Sequence, residues 1–301
     1  MWQPEPGWQP LPSGPSPATY GVWVATVDGR EAVVKRLLRP LPHDPAEGSD
    51  PRHPAYWRRA ADVALGGAVH LTPGLRGLPD LAVEEDDEGL TIVSPRVPAA
   101  PPNGLFAARS LGRFAGADLG DPPWLASGVL ETRLRSVERR GGWTTLARTP
   151  VADLADRLWS VRDERLACFA ALPSVPSHGD PVAANLPGRQ GDDIVAIDWS
   201  TLGRGPLGAD LGYHALTARE ELEPLLDAYV DALPAPLRER RADAEYGARV
   251  MAVYTVLTRA DWALGRAALG EGALAGKFKH PSVAPYLRAM QRLFPQLEAL
   301  L

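Results

Sequence analysis

The fold is decided by the stretch Ser177-His178-Gly179-Asp180-Pro181-Val182-Ala183-Ala184-Asn185, which Ile197-Asp198-Trp199 follows after a short loop. It places the carboxylates of Asp180 and Asp198 and the carboxamide of Asn185 close together in the chain. Alone, each of these residue types is usually a turn or capping residue. Together and in this order they offer a base and oxygen ligands for a hard cation. The stretch therefore predicts a reaction centre built from side-chain oxygen atoms.

The secondary structure predicted around this stretch gives these side chains a common location. Prolines end the preceding helix, so residues 175–180 are predicted to form a short strand that leads into a loop. Residues 195–197 are predicted to form a second short strand, and the turn-forming residues 188–193 lie between the two. Such a hairpin would deliver Asp198 to the side of Asp180.

These residue types suit phosphoryl transfer to a hydroxyl group. A transferring phosphoryl group spreads negative charge over its oxygens, so catalysis depends mainly on positioning and on cationic stabilisation. Asp180 would accept or orient the attacking hydroxyl, while Asn185 and Asp198 would hold the magnesium ions that neutralise a triphosphate. The sequence thus predicts a kinase that uses Mg²⁺ with either ATP or GTP as phosphoryl donor.

The same residues carry a resemblance to the aminoglycoside phosphotransferase and choline kinase-like family, relatives of the eukaryotic protein kinases. His178-Gly179-Asp180 with Asn185 matches the family's catalytic loop, Ile197-Asp198-Trp199 matches its metal-binding segment, and Asp210-Leu211 matches its downstream Asp-Leu pair. The resemblance implies a catalytic role for Asp180, metal binding by Asn185 and Asp198, and support of the site by His178 and Asp210.

The resemblance also implies an α+β, two-lobed protein-kinase-like fold. Residues 1–97 would form a small, β-rich, nucleotide-binding N-lobe with one helix, and its last strand would include residues 90–93. Residues 98–301 would form a larger, mainly helical C-lobe with the catalytic loop and the acceptor site. The hinge between the lobes would bind the nucleotide base through Ser94, Pro95, Arg96 and Val97.

Apolar periodicity and capping signals predict the helices of the C-lobe. The predicted helices cover residues 104–117, 123–139, 150–171 and 236–268. Thr217-Ala218-Arg219-Glu220 has the pattern of a capping box before a further helix. The acidic face of that helix, residues 220–231, is interpreted as a solvated surface rather than as a site for a cationic substrate.

Lysine usage singles out Lys35. Arginine supplies nearly all of the basic charge, and the chain has lysine only at positions 35, 277 and 279. Lys35 lies in a predicted hairpin in which residues 20–27 pair with residues 31–38 across Asp28-Gly29. A compact ammonium suits nucleotide phosphates better than the planar fork of arginine, so Lys35 is predicted to bind them. A solvated strand lysine is the alternative.

The acidic partner expected for this lysine is missing from the sequence. The helix predicted over residues 54–66 contains no Glu, which leaves Asp62, Glu47 or no residue at all to pair with Lys35. No Gly-x-Gly-x-x-Gly precedes the first strand either, and residues 13–21 are the nearest substitute. These departures keep a second class of function open, namely a nucleotide-binding pseudokinase that acts as a partner protein in a biosynthetic pathway.

Composition limits the setting in which the protein works. A net charge of −5 argues against nucleic acid as the main partner. No stretch has the apolar length of a membrane span, and the N-terminus lacks the pattern of a secretory signal. The single cysteine, Cys168, suits a reducing compartment. These features predict a cytoplasmic protein without a membrane partner.

The acceptor is predicted to be a small hydroxylated molecule. The composition, rich in Arg, Ala and Pro, is that of a high-GC bacterium, where antibiotic-modifying members of the resembled family are frequent. An antibiotic acceptor, with a role in resistance or self-protection, is therefore the leading interpretation, and a metabolic kinase of an amino alcohol or sugar is the competing one. A protein substrate is disfavoured because the segment between Asp198 and Asp210 is too short for a substrate-docking activation segment.

Overall fold

The computed structural model describes residues 2–11, 18–79, 82–143, 150–268, 292 and 294–300. The substitute for a glycine-rich loop, residues 13–21, lies partly outside this set, because residues 12–17 are not described. The N-terminal part is a five-stranded sheet with the strand order β1-β2-β3-β6-β5. Its strands are β1 (Gln9–Pro10), β2 (Thr19–Val27), β3 (Arg30–Leu38), β5 (Ala82–Glu85) and β6 (Gly89–Pro95).

The predicted hairpin between β2 and β3 is confirmed. The two strands pair in antiparallel register across Asp28 and Gly29, whose φ angles of 49° and 74° are those of a tight hairpin turn. β6 contains the predicted strand at residues 90–93 and pairs with the other edge of β3, so that Lys35 lies between Val22 and Ile92. The lysine therefore projects from the centre of the sheet.

Helix α1 (Arg59–Gly66) covers this sheet through Ala61, which packs with Leu37, Leu90 and Ile92. The sequence predicted that the helix would begin at residue 54, and this is wrong. Residues 51–58 form turns instead, since the guanidinium of Arg59 takes the backbone carbonyls of this segment as hydrogen-bond acceptors.

The remainder of the chain is mainly helical. Its helices are α2 (Gly104–Phe114), α3 (Val129–Arg139), α4 (Pro150–Ser160), α5 (Arg162–Ala170), α6 (Ala209–Ala215), α7 (Leu222–Ala232), α8 (Ala235–Arg238), α9 (Arg241–Ala268) and α10 (Phe294–Glu298). The large apolar cluster of this part lies among α2, α6, α7 and α9. None of the helices in the ranges given above is long and apolar enough to span a membrane.

Several helix boundaries differ from the predicted ones. The helix expected over residues 150–171 is two helices, and at the break the carbonyl of Leu158 accepts a hydrogen bond from the Tyr254 hydroxyl at 2.9 Å. The helix expected from residue 123 begins at Val129, because Ala126 forms a β-bridge with Gly203. Tertiary contacts thus override the apolar periodicity at both places.

The predicted capping box is also wrong. Helix α7 begins at Leu222, and the Thr217 hydroxyl donates to the carbonyl of His214 rather than capping a helix. The carboxylate of Glu220 instead accepts the backbone N–H of Gly104 at the start of α2. The acidic face of α7 is neutralised in part, since Glu223 and Asp227 both form ion pairs with Arg241.

Two small sheets carry the predicted reaction centre. β7 (Ser174–Ser177) pairs with β10 (Gly203–Pro206), and β9 (Asp193–Val195) lies between β8 (Gly188–Gln190) and β4 (Leu75–Arg76). The strand predicted over residues 195–197 is therefore displaced toward the N-terminus. The reason is that β9 pairs with β4 up to Ala196, after which the N–H of Ile197 donates to Asn185 instead.

Candidate active site

The predicted reaction centre lies on the loop between β7 and β8 and on the turn after β9. The amide nitrogen of Asn185 donates to the backbone carbonyl of Asp180 at 2.9 Å and to its Oδ2 at 3.0 Å. This arrangement leaves the amide oxygen of Asn185 for another partner. The backbone carbonyl of Asn185 accepts the N–H of Ile197, which holds Asp198 next to the loop.

Lys35 reaches this centre from the sheet. Its Nζ lies 2.7 Å from Oδ1 of Asp198, so the lysine is ion-paired rather than solvated. Burial acts to raise the pKa of Asp198, but the charge and the hydrogen bond of Lys35 outweigh it and hold that pKa below its ordinary value. The sheet and the helical part of the chain are thereby joined at the centre.

Neither acid predicted as a partner for Lys35 pairs with it. Asp62 pairs with Arg58 at 3.0 Å on its own helix, and Glu47 pairs with Arg139 at 3.0 Å. The prediction is corrected because Lys35 lies closer to Asp198, which is adjacent in space but distant in sequence.

Helix α1 is attached to the centre by Arg59. This buried guanidinium donates to the carbonyls of Pro51, His53, Pro54, Trp124 and Ser200 at 2.6–3.2 Å. Burial lowers the pKa of Arg59 to about 10. Since Ser200 follows Asp198 closely, Arg59 ties the helix to the segment that contains Asp198, without an ion pair to Lys35.

Asp210, at the start of α6, holds the loop that contains Asp180. Its carboxylate accepts hydrogen bonds from the Ser177 hydroxyl at 2.7 Å and from the backbone N–H groups of His178 and Gly179 at 2.7 and 3.1 Å. Gly179 has a φ of 78°, in the left-handed region, and a Cβ there would lie 2.8 Å from the carbonyl oxygen of Thr201. The loop geometry therefore depends on both residues.

His178 is buried and makes contacts that hold the centre together. Its Nδ1 accepts the backbone N–H of Asp180 at 3.3 Å, and Nε2 then carries a proton for the carbonyl of Ile197 at 3.0 Å. Its ring packs on Trp199 with 4.6 Å between centroids, and the Thr201 hydroxyl donates to its carbonyl. These contacts support an architectural role and leave no free nitrogen for proton transfer.

Asp198 occupies an unusual backbone conformation. Its φ of 57° and ψ of 61° are left-handed, which is uncommon for a residue other than glycine. The residue before it, Ile197, is held by two hydrogen bonds. Its carbonyl accepts from His178, and its N–H donates to the carbonyl of Asn185. Such strain concentrates at functional sites, where the surrounding structure enforces it.

The predicted hinge lies beside the beginning of β3. Ser94 and Pro95 end β6 opposite Val33 and Ala32, and the side chain of Arg96 pairs with Glu31 at 2.9 Å. Val97 lies against Gly188 of β8. Base binding by residues 94–97 stays a prediction, and their place on the strand next to Lys35 is compatible with it.

Sequence reasoning missed three residues near Asp180. The hydroxyl of Tyr213 contacts Arg259, whose Nη2 lies 3.8 Å from Oδ1 of Asp180. Arg133 also packs on this ring, 4.6 Å from its centroid, and donates to the carbonyl of Gly179 at 3.2 Å. Burial raises the pKa of Tyr213 to about 12. The available signal was the position of Arg259, a charged residue two positions after the apolar run 250–257 of a long helix.

The donor set of the centre suits magnesium. The amide oxygen of Asn185 and the carboxylate of Asp198 are hard oxygen ligands, and Mg²⁺ commonly takes one or two protein ligands with waters and phosphate oxygens completing its shell. Across the described part of the chain, no group of three or more His, Cys, Asp or Glu side chains could hold a metal by itself. A metal bound together with the nucleotide fits these residues better than a resident metal.

The sequence and the fold match known phosphotransferases. Residues 7–246 match the model of the phosphotransferase enzyme family. A choline/ethanolamine kinase family protein from Mesorhizobium loti aligns over 97% of this chain and 91% of its own with 15% identity and a TM-score of 0.60. A spectinomycin phosphotransferase in complex with ADP and spectinomycin aligns over 98% and 93% with 12% identity and a TM-score of 0.59.

A macrolide 2'-phosphotransferase from Brachybacterium faecium is 20% identical over 93% of this chain and 91% of its own, with a TM-score of 0.51. No curated protein matches the sequence. At these identities the solved structures establish the fold alone. That fold is the kinase-like α+β fold that the sequence predicted, with a β-sheet N-terminal part and a helical remainder.

Proposed function

The chain belongs to the phosphotransferase enzyme family, and from this premise we propose that it transfers the γ-phosphoryl group of ATP or GTP to a hydroxyl of a small molecule. The observation that carries the proposal is the convergence on one centre of Lys35 from the sheet, Asp180 and Asn185 from one loop, and Asp198 from the turn after β9. A fold without catalytic function has no physical need for this set. The convergence therefore favours an enzyme over the pseudokinase alternative.

Each residue has a proposed part in the reaction. The acceptor oxygen attacks the γ-phosphorus while the bond to the β,γ-bridging oxygen breaks, which yields a phosphate ester and a nucleoside diphosphate. The hydroxyl proton passes to the carboxylate of Asp180. Lys35 binds donor phosphate oxygens, and residues 94–97 bind the base. Asn185 and Asp198 would hold Mg²⁺, which supplies cationic stabilisation of the phosphates.

The ion pair between Lys35 and Asp198 bears on this assignment. The carboxylate of Asp198 is charged at neutral pH, since its pKa lies below its ordinary value. With the donor bound, Lys35 would contact phosphate oxygens, and the carboxylate of Asp198 would be free to hold Mg²⁺. The pair thus holds both side chains in position before the donor arrives.

The acceptor is proposed to be a small hydroxylated compound, with an antibiotic and a role in resistance or self-protection as the leading case. An amino alcohol or sugar kinase is the competing case. The solved structures with this fold include both a choline/ethanolamine kinase family protein and antibiotic phosphotransferases, which supports this range.

Mass spectrometry of an acceptor panel tests the proposal. Hydroxylated antibiotics, amino alcohols and sugars are incubated with the protein, Mg²⁺ and either ATP or GTP. At least one compound should gain a phosphoryl group with the wild type and with Asp231→Asn, an exposed control on α7, but not with Asp180→Asn. Absence of both product and magnesium-dependent nucleotide binding would contradict the proposal.

A further inference from the structure

Two arginines enclose Tyr213 beside the catalytic loop. The guanidinium of Arg133, on α3, lies 4.6 Å from the ring centroid, and that of Arg259, on α9, lies 4.8 Å from it. Arg259 contacts the hydroxyl of the same ring, while Arg133 donates to the carbonyl of Gly179. Residues from three helices therefore place two cations next to the base Asp180.

The two oxygens of Asp180 have different surroundings. Oδ2 accepts the amide of Asn185, which belongs to the proposed metal and donor side of the centre. Oδ1 lies 3.8 Å from Arg259 and is buried without a hydrogen bond within the ranges of the chain that the structure covers. Arg259 therefore lies beside the oxygen of Asp180 that Asn185 does not contact.

The cations in this region outnumber the free carboxylates. Within the described residues Arg133 forms no ion pair, and its Nη1 is buried without a partner. Asp210 is occupied by the catalytic loop, and Asp261 on α9 pairs with Arg140. Among the carboxylates that the structure describes, Asp180 is the one that lies within 4 Å of either arginine. An incoming anion would find two guanidinium groups there, and an incoming polycation would be repelled.

We propose that Arg133 and Arg259 determine acceptor specificity, and that the acceptor carries a carboxylate or phosphate group close to the hydroxyl that is phosphorylated. This inference rests on the proposed phosphotransfer at Asp180. Guanidinium groups recognise such anions through charge-assisted, often bidentate hydrogen bonds. Arg259 is 30% exposed, so its guanidinium is within reach of a ligand. Polycationic acceptors are disfavoured on the same ground.

The first test measures anion binding without catalysis. The nucleotide site is filled with Mg²⁺ and a non-hydrolysable ATP analogue, and the affinity for malonate is measured by calorimetry. Arg259→Gln should weaken malonate binding by about tenfold or more, as expected for loss of a charge-assisted hydrogen bond. Arg135→Gln, an exposed arginine on the same helix as Arg133, should leave it unchanged. Equal malonate affinity in all proteins would overturn the inference.

The second test uses the acceptor panel, extended with matched pairs such as glycerate with glycerol. The best substrate should carry an anionic group, and Arg259→Gln should raise its KM with little effect on the affinity for the nucleotide. Arg259→Lys should restore part of the loss, which a variant that merely misfolds would not do. The inference would be overturned if the best substrate is neutral or polycationic and its KM is unchanged by substitution of Arg133 or Arg259.

The two tests distinguish failure of this inference from failure of the proposed function. If the wild type binds malonate and Arg259→Gln does not, the anion site is supported. If the wild type also phosphorylates no compound of the panel, the proposed phosphotransfer is refuted while the anion site stands. Phosphorylation that is unaffected by substitution of Arg133 and Arg259 would support the phosphotransfer and would refute the anion site. A uniform loss of nucleotide affinity in the arginine variants would assign these residues to the donor and overturn the acceptor assignment.

Discussion

Asp210→Ala is the perturbation whose effect the structure defines most closely. The carboxylate is only 8% exposed and accepts three hydrogen bonds from Ser177, His178 and Gly179. Truncation leaves one hydroxyl and two backbone N–H groups without their acceptor in a buried setting. The catalytic loop that carries Asp180 would lose its support at the same time.

The size of the effect follows from these contacts. A buried donor left unsatisfied costs about 1–3 kcal/mol of stability, and water that enters the site would offset part of this cost. We therefore expect the free energy of unfolding to fall by about 4 kcal/mol for the three donors together. This is a large share of the ~5–15 kcal/mol that stabilises a typical domain. For a chain of this size about 2 °C is lost per kcal/mol, which gives a fall in Tm of about 8 °C. Displacement of the base by ~1 Å would lower kcat by about a hundredfold.

Thermal unfolding and turnover are measured together for this variant. Asp231→Ala, an exposed aspartate on α7, serves as the matched control and should leave both unchanged. Asp210→Asn should fall between the two, because it keeps one acceptor oxygen but presents an amide to a backbone N–H. An Asp210→Ala protein with wild-type Tm and wild-type turnover would refute the bracing role.

Three further perturbations have defined outcomes. Arg59→Met removes the donor to five backbone carbonyls and should lower the urea midpoint by the equivalent of ~3 kcal/mol or more, with a parallel fall in nucleotide affinity as α1 detaches. Gly179→Ala forces a Cβ to within 2.8 Å of the Thr201 carbonyl and should reduce turnover at least tenfold in a steady-state assay, while nucleotide binding is retained. Asp86→Asn should destabilise the protein at pH 7, since Arg36 holds the pKa of Asp86 down to about 2. Folding lowers that pKa. The difference in urea midpoint between the wild type and Asp86→Asn should therefore be largest above the ordinary carboxyl pKa and should decrease as the pH falls toward 2.

Local signals predicted the parts of the site that are close in sequence. The turn at Asp28-Gly29 indicated the hairpin that presents Lys35, and the spacing of Asp180 and Asn185 indicated a shared centre. In both cases the residues that determine the geometry lie within one short segment. Such segments are readable because turn and loop chemistry is largely local.

Contacts between distant segments were not readable in the same way. The partner of Lys35 was sought on α1, yet the structure pairs it with Asp198, and α1 is held by Arg59 instead. No pattern in the sequence marks an arginine that donates to five backbone carbonyls. Arg133 and Arg259 likewise meet at Tyr213 from separate helices, so that their common location exists only in the folded chain.

Helix boundaries failed for a related reason. Apolar periodicity continues through residues 150–171, but the contact between Leu158 and Tyr254 accompanies a break in the helix. Glu220 resembles part of a capping box and is instead used at the start of α2. Tertiary contacts selected among local conformations that the sequence pattern left nearly equal.

The central claim is that Asp180 carries the chemistry while Asp198 holds the metal with the donor. It is tested most directly by measuring the magnesium-dependent dissociation constant for ATP and the turnover of Asp180→Asn and Asp198→Asn side by side. Asp180→Asn should lose turnover by about a thousandfold or more with ATP affinity almost unchanged, as expected for loss of a positioned base. Asp198→Asn should lose turnover and also the dependence of binding on magnesium. Retained turnover in Asp180→Asn, or the same loss of ATP affinity in both variants, would contradict the account.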